Sequence, residues 1–329
     1  MPPNPGAPML TVVLGLAGAL VYGAADFFGG LAARRISALR VTAIGAVSGV
    51  GLLLLGSVVI PGEWSASALL WGGVSGVTGA AAIALLYACL AIGPMSILSP
   101  LTAVTSAIVP LGWGLAAGAQ LGAIAYPAFA LALVAVVLVG FVPAKEAVRP
   151  TPRGLVMATA SGVLIGAFYI LVDQTPDDSG LVPLVANRLV NASIMVAVIV
   201  ALAVVAGRRH VRAADAALAI VDGTHGAPHA LEGRDGASGL LRASSAALRG
   251  GWRGGLVLAI VCGVLDAAAN VVVLVGLRVG DLEIVSVLTA LYPAGTILLA
   301  AAVLRERIAR LQWVGLLLAL TASAMLALA

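Results

Sequence analysis

Ten apolar runs divide the sequence, and each is long enough to cross a lipid bilayer. A helix rises about 1.5 Å per residue, so about 20 residues span a hydrocarbon layer about 30 Å thick. Hydrophobic residues make up 61% of the chain and charged residues 10%, whereas soluble domains carry about 25% charged residues. We predict an all-α integral membrane protein with ten transmembrane helices, at residues 9–31, 39–60, 66–91, 95–117, 121–143, 154–174, 181–206, 254–278, 282–304 and 311–329.

The chain also contains an internal repeat. Shifted by 187 residues, positions 74–135 match positions 261–322 at 19 of 62 positions without a gap. Helices 3–5 thus correspond to helices 8–10, and each repeat holds five helices. Because five is odd, the second repeat enters the membrane upside down, which places a binding site near the midplane between the halves. We predict two inverted repeats, at 9–143 and 154–329.

The second repeat carries an insert at 207–253 between helices 7 and 8. Its counterpart in the first repeat, Pro61–Ser65, has only five residues. The insert mixes Ala and Gly with seven arginines. We predict a loop in which Ala213–Val221 forms a short helix and the remainder is disordered.

Several segments carry a resemblance to a known family. They are Ser286–Pro293 with Thr296, Leu304–Ile308 followed by Gln312 and Trp313, and Gly162–Arg188 with Gly166, Asp173, Gly180 and Pro183. On these residues the chain resembles the drug/metabolite transporter superfamily and, within it, the EamA-like ten-helix transporters. The resemblance covers nearly everything except 207–253, and it implies transport of amino acids, their analogues or related metabolites.

Three positions depart from the pattern of that family. Ala119 stands where the first repeat usually has a loop Glu, Arg305 replaces a usual Gly, and Tyr22-Gly23 stands where helix 1 often has Trp-Gly. These departures leave the implied fold intact but carry over no specific substrate.

Two carboxylates lie well inside predicted spans. Asp266 is central in the eighth run, and Asp26 lies about 9 Å from the midplane in the first. A lone carboxylate there costs about 3 kcal/mol or more, so each must face the bundle interior. Either they lock helices together structurally or they bind solute or protons. Asp266 and Asn270, one turn apart, have Gly79 and Ile83 as repeat mates, which favours a functional role.

Arg188 is the only basic residue well inside a span. Its side chain can approach Asp266 or point outward towards Asp173 and Asp177. It forms either a structural ion pair or an anchor for a substrate carboxylate, since a guanidinium binds a carboxylate through two parallel hydrogen bonds.

Hydroxyl groups within the spans form a third set of candidates. They either bond a backbone carbonyl one turn back or line a polar cavity, and tyrosines either pack or line the same cavity. The candidates are Ser286, Thr289, Thr102, Tyr22, Tyr169 and Tyr292. Pro293 frees a backbone carbonyl, which suits a bend or a solute contact.

Enzyme chemistry finds no support in the sequence. Gly73–Gly76 has the form of an intramembrane serine-protease motif, but such a serine needs a base within hydrogen-bond reach. All three histidines lie in the insert, and no lysine lies in any span. We therefore expect no enzyme, no cofactor and no metal site.

The preferred function is a secondary active transporter, an exporter of a small metabolite such as an amino acid or analogue, coupled to protons. Cationic drug export is the alternative, and a channel or membrane-embedded enzyme is the alternative of another class. The expected partners are a small-molecule solute, the lipid bilayer and protons, without nucleic acid. We expect a monomeric, multi-pass protein of the inner or plasma membrane.

Asp266 is the expected coupling carboxylate, with Asn270 and Arg188 completing a midplane site. Coupling requires that protonation and solute binding influence each other. Asp266→Asn should therefore abolish pH-driven accumulation, and Asp26→Asn should have the smaller effect because Asp26 lies off the midplane.

Membrane orientation is the first testable prediction. Of 18 Lys and Arg residues, 16 lie in or beside the loops after helices 1, 5, 7 and 9, and the positive-inside rule places such loops in the cytoplasm. Both termini are then outside, although the family resemblance implies cytoplasmic termini. We follow the charge count: a reporter fused at Ala329 should be active outside, and activity confined to the cytoplasm would contradict this orientation.

Overall fold

The computed structural model describes residues 7–92, 95–140, 150–222, 234–305 and 308–328, which are helical apart from short connections. One 3-10 turn, at Asp177–Ser179, joins α6 to α7. The α-helices are α1 (Ala7–Ala33), α2 (Ala38–Val59), α3 (Ala66–Ile92), α4 (Met95–Ala116), α5 (Ala125–Gly140), α6 (Pro152–Asp173), α7 (Val182–Asp222), α8 (Arg234–Val279), α9 (Leu282–Thr289), α10 (Tyr292–Val303) and α11 (Arg310–Ala327).

The helices confirm the predicted all-α membrane architecture. In the described residues, nine helical spans are long and apolar enough to cross a membrane, with α9 and α10 counted together as one. The tenth apolar helix, α5, is shorter at 16 residues. The predicted fifth span began at residue 121, but the structure starts α5 at Ala125. Its predicted end at 143, together with residue 329 of the last span, lies outside the described residues.

The ninth span is interrupted between α9 and α10, at Ala290 and Leu291. Pro293 has no backbone N–H, so the Thr289 carbonyl loses the donor that would continue the helix. The Thr296 hydroxyl in turn donates to the Gly23 carbonyl at 3.1 Å, which ties α10 to α1. The corresponding helix of the first repeat, α4, runs unbroken although it contains Pro100 and Pro110. The break is therefore specific to one half of the molecule.

Helix packing follows the same plan in both halves. Helix α1 packs against α8 as α6 packs against α3, and α2 packs against α8 as α7 packs against α3. Helix α1 also contacts α9 and α10 as α6 contacts α4, while α5 packs against its own counterpart α11. Exchanging the repeats reproduces these neighbours, which is consistent with two inverted five-helix repeats.

Two glycines related by the repeat make equivalent close helix contacts. Gly76 of α3 lies against the backbone of Asn187 in α7, and Gly263 of α8 lies against the backbone of Gly45 in α2. A Cβ atom at either glycine would collide with the facing helix backbone. Small residues are used in this way where helices must approach closely inside a membrane.

The insert differs from its prediction. Helix α7 continues to Asp222 and α8 begins at Arg234, so the predicted disorder is wrong for these residues and the predicted short helix belongs to α7. Alanine and arginine both favour helix, and the two spans supply helical turns from which the insert continues. Only the centre of the insert, 223–233, lies outside the described residues.

The helical insert yields a second prediction. Replacement of Arg209–Arg249 by a short Gly/Ser linker should leave the transmembrane bundle folded, because Pro61–Ser65 makes the equivalent connection with five residues. Correct insertion and retained solute export are the expected results, measured by protease accessibility and by efflux from cells. Loss of export by a correctly inserted variant would instead assign the insert a working role.

Candidate functional site

A cavity of about 210 Å³ lies between the two repeats. Helices α1, α2 and α3 line it from the first repeat, and α6, α7, α8 and α10 line it from the second. Seven of the ten residues singled out in the sequence contribute to its wall: Tyr22, Asp26, Tyr169, Arg188, Asp266, Asn270 and Tyr292. The structure thus gathers these side chains from five helices into one space.

An ion pair between Arg188 of α7 and Asp266 of α8 forms one wall of this cavity. Nη2 of Arg188 donates to Oδ2 of Asp266. The arginine side chain is 8% exposed and the aspartate side chain 31%, so the carboxylate faces the cavity while the guanidinium is embedded between helices. Nε of Arg188 is buried without a hydrogen-bond partner in the structure. The guanidinium therefore retains a donor beyond those that Asp266 uses.

Among the described residues, Asp173 and Asp177, the other partners predicted for Arg188, form no ion pair with it. Asp177 accepts a 2.8 Å bond from Nη1 of Arg278, whose Nη2 also donates to the hydroxyls of Thr175 and Ser179 at 2.7 and 3.1 Å. Arg278 fastens the connection between α6 and α7 at one end of the bundle. Arg188 pairs with Asp266 instead.

Asp26 of α1 lines the same cavity but, unlike Asp266, is not paired with an arginine among the described residues. Its side chain is exposed to the space of the cavity. Within the described residues it makes no ion pair and no side-chain hydrogen bond. Arg188 and Asp266 cancel one another, so an ionised Asp26 leaves the cavity wall with one excess negative charge.

Asn270 and the tyrosines shape the rest of the wall. The Asn270 amide donates to the backbone carbonyl of Asp266 at 2.7 Å, one turn back on α8. Tyr169 is 5% exposed and stacks edge-on against Phe168 with ring centroids 5.3 Å apart. Tyr22 and Tyr292 are half-buried at the cavity surface. Three tyrosine side chains therefore line the same cavity as the three charged groups.

Three hydroxyl candidates lie outside the cavity lining. Each is fully buried and donates to a backbone carbonyl: Thr102 to Leu98 and Ala158, Ser286 to Glu283, and Thr289 to Val285. Hydroxyls that are satisfied by the backbone in this way hold helices and turns. The structure does not bring these three together with the charged residues.

Two asparagines of α7 were missed in the sequence analysis. Asn187 and Asn191 flank Arg188, are 5% and 4% exposed, and line the cavity. The Asn187 amide donates at 2.8 Å to the Ser75 hydroxyl, which itself donates to the Gly72 carbonyl at 2.7 Å. Ser75, the serine of the protease-like motif, is thus engaged in a contact between α3 and α7. The detectable signal was two amides four residues apart within a span.

Part of the second repeat resembles a known protein family. Residues 239–328 match the model of the EamA-like transporter family. This matched segment, about a quarter of the chain, is similar to the EamA-like transporters. This similarity and the nine apolar spans of the described residues both support a multi-pass membrane protein.

Solved structures resemble nearly the whole chain in fold. Matching chains number 28. One crystal structure superposes with a TM-score of 0.62, covering 96% of this chain and 95% of its own, at 14% identity. Identity this low supports a shared fold alone. No curated protein sequence matches the chain.

The ion pair between Arg188 and Asp266 predicts a pattern of stability changes. Arg188→Gln or Asp266→Asn alone should lower the free energy of unfolding by about 1–3 kcal/mol. This is less than the 3–5 kcal/mol typical of fully buried pairs, because the cavity solvates Asp266. The double variant should be more stable than either single variant, since neither charge is then left unpaired. Thermal unfolding of purified protein in detergent measures this, and additive losses would contradict the pairing.

Proposed function

We propose that the protein is a proton-coupled secondary transporter of the plasma membrane that exports a small solute bearing a protonated amino group. Cationic drugs and amino acid analogues without a free carboxylate carry such a group with no compensating negative charge. The observation that supports this function is the unpaired carboxylate of Asp26, which faces the cavity beside a neutral ion pair.

The charge of the site favours a cation. With Arg188 and Asp266 cancelling, one ammonium ion beside Asp26 brings the cavity to neutrality. A desolvated charge is stable only when it is paired or lost by protonation. The aromatic wall supports the same choice, because the faces of Tyr22, Tyr169 and Tyr292 attract cations.

The same charge balance leads to exchange of the solute for a proton. A proton on Asp26 also neutralises the cavity, so a proton and a cationic solute compete for one negative charge. Each ligand then weakens binding of the other, and linkage makes this effect reciprocal. A transporter that crosses the membrane with one ligand or the other exchanges them. An inward proton gradient consequently drives the solute outward.

The fold supplies elements for alternating access. The cavity lies between halves with equivalent packing, and the interrupted α9–α10 span contacts α1, the helix that carries Asp26. Rocking of one repeat against the other would open the site to each side in turn. The discontinuity beside Pro293 gives this motion a defined place to bend.

This proposal moves the coupling role from Asp266, where the sequence placed it, to Asp26. Sequence alone did not show which carboxylate Arg188 neutralises. In the structure Asp266 has its counter-ion, whereas Asp26 has none among the described residues. Asp266 then serves to cancel the charge of Arg188.

A zwitterionic amino acid is the second candidate solute. Arg188 lines the cavity and keeps its Nε without an acceptor. A solute carboxylate could take this guanidinium while the amino group binds Asp26. The occupied cavity would then retain one negative charge, and a proton would bind together with the solute instead of competing with it.

The solute class can be identified by a metabolite screen. Everted membrane vesicles that contain the protein are given a pH gradient with the acidic side inside. They should accumulate more of the transported amine or amino acid analogue than vesicles that lack the protein. The expected uptake saturates with solute concentration and collapses when the pH gradient is dissipated. Non-saturating flux independent of the gradient would indicate a channel and contradict the proposal.

Charge variants give the decisive prediction. Asp26→Asn should abolish gradient-driven accumulation, because its amide can neither ionise nor exchange a proton. The double variant Arg188→Gln with Asp266→Asn should retain at least a tenth of wild-type accumulation, because Asp26 remains the one excess charge. Asp178→Asn, an exposed carboxylate at the α6–α7 connection, is the matched control and should be unchanged.

The same variants separate the two candidate solutes. If Arg188 anchors a solute carboxylate, the double variant should lose transport as completely as Asp26→Asn. Wild-type accumulation with normal pH dependence in Asp26→Asn would remove Asp26 from the mechanism altogether.

A further inference from the structure

A second, larger pocket lies at one end of the bundle, away from the central cavity. Its volume is about 570 Å³, and it is lined by Ala33–Ser37, Arg40 and Trp252. These residues come from the connection between α1 and α2 and from α8 where its membrane-spanning part begins. The pocket is therefore formed where three spans reach one surface of the membrane.

The lining of this pocket is strongly basic. It contains Arg34, Arg35 and Arg40 and no acidic residue, and all three side chains are exposed. Among the described residues none of them forms a salt bridge. Three unpaired guanidinium groups around one pocket are suited to an anionic group that accepts several hydrogen bonds, such as a phosphate.

Helix α8 fixes two of these arginines in place. The Arg40 guanidinium lies over the Trp252 ring, 5.1 Å from its centroid. The Arg35 guanidinium lies so close to Gly254 that a Cβ atom there would collide with Nη1. Glycine at this position thus allows the Arg35 side chain to pack against α8. The pocket is therefore formed by both the α1–α2 connection and α8.

The position of the pocket points to a lipid as the source of the phosphate. Trp252 is 39% exposed and is the first residue of its span, where tryptophan side chains sit at the level of the lipid headgroups. Basic pockets between transmembrane helices bind the headgroups of anionic lipids, and each nearby arginine contributes about fivefold in affinity. The positive-inside rule places the connection after α1 at the cytoplasmic leaflet.

We propose that Arg34, Arg35, Arg40 and Trp252 form a binding site for the phosphate headgroup of an anionic glycerophospholipid. The arginines hold the phosphate, the Trp252 ring orients Arg40, and the acyl chains extend along the ends of α1, α2 and α8. The site is independent of the solute carried in the central cavity.

Native mass spectrometry of the full-length protein in detergent tests this site. The probes are phosphatidylglycerol and phosphatidylcholine with the same acyl chains. Wild-type protein should retain phosphatidylglycerol in preference to phosphatidylcholine. The triple variant Arg34→Gln, Arg35→Gln and Arg40→Gln should bind phosphatidylglycerol at least tenfold more weakly. Gly254→Ala, which displaces Arg35 without changing the charge, should also weaken it.

Two controls distinguish a built lipid site from general charge attraction and from a site for a soluble anion. Arg153→Gln with Arg310→Gln removes two exposed arginines outside the pocket and should leave lipid binding unchanged. An equal loss per arginine in that control would show general charge attraction and overturn the proposal. Displacement of bound phosphatidylglycerol by tens of millimolar inorganic phosphate would assign the pocket to a soluble anion and overturn its assignment to a lipid.

Discussion

A charge inside the hydrocarbon layer costs about 3 kcal/mol or more unless it is paired or meets water, and this cost governs the centre of the molecule. Arg188 of α7 is embedded between helices, and its guanidinium is compensated by Asp266 of α8. The pair requires α7 and α8 to hold their register, which Gly76 and Gly263 support by bringing α3 against α7 and α2 against α8. The close packing of the helices and the ionic chemistry of the cavity are therefore linked.

With Arg188 and Asp266 paired, Asp26 is the carboxylate of the described cavity lining that has no counter-ion. Asp26 is exposed to the open space of the cavity, whose lining also contains Tyr22, Tyr169 and Tyr292. In the proposed function, one negative charge that either a proton or an ammonium ion neutralises is the basis of exchange. The same cavity touches α10, which begins after the helix break and contacts α1. The helix that carries Asp26 therefore packs against the interrupted span.

The architecture could be predicted from the sequence because few backbone structures can cross the hydrocarbon layer of a membrane. Apolar length predicted ten spans, and the 187-residue repeat predicted equivalent packing partners. The insert was misjudged because composition suggested disorder, whereas helical spans on both sides continue into it. Site prediction was less complete for a geometric reason. Their positions deep within predicted spans identified Asp26, Arg188 and Asp266 as candidates. Only the packing of the helices shows that Arg188 pairs with Asp266, whereas Asp177 pairs with Arg278.

The central claim is that one unpaired carboxylate accepts either a proton or a cationic solute. Proton release on ligand binding tests it most directly. Purified protein in weakly buffered detergent solution is saturated with n-butylammonium between pH 5 and pH 8, and the released protons are counted. The account predicts that release approaches one proton per bound cation within this range in wild type and is absent in Asp26→Asn. Binding without release throughout the range, or release that persists in Asp26→Asn, would contradict it.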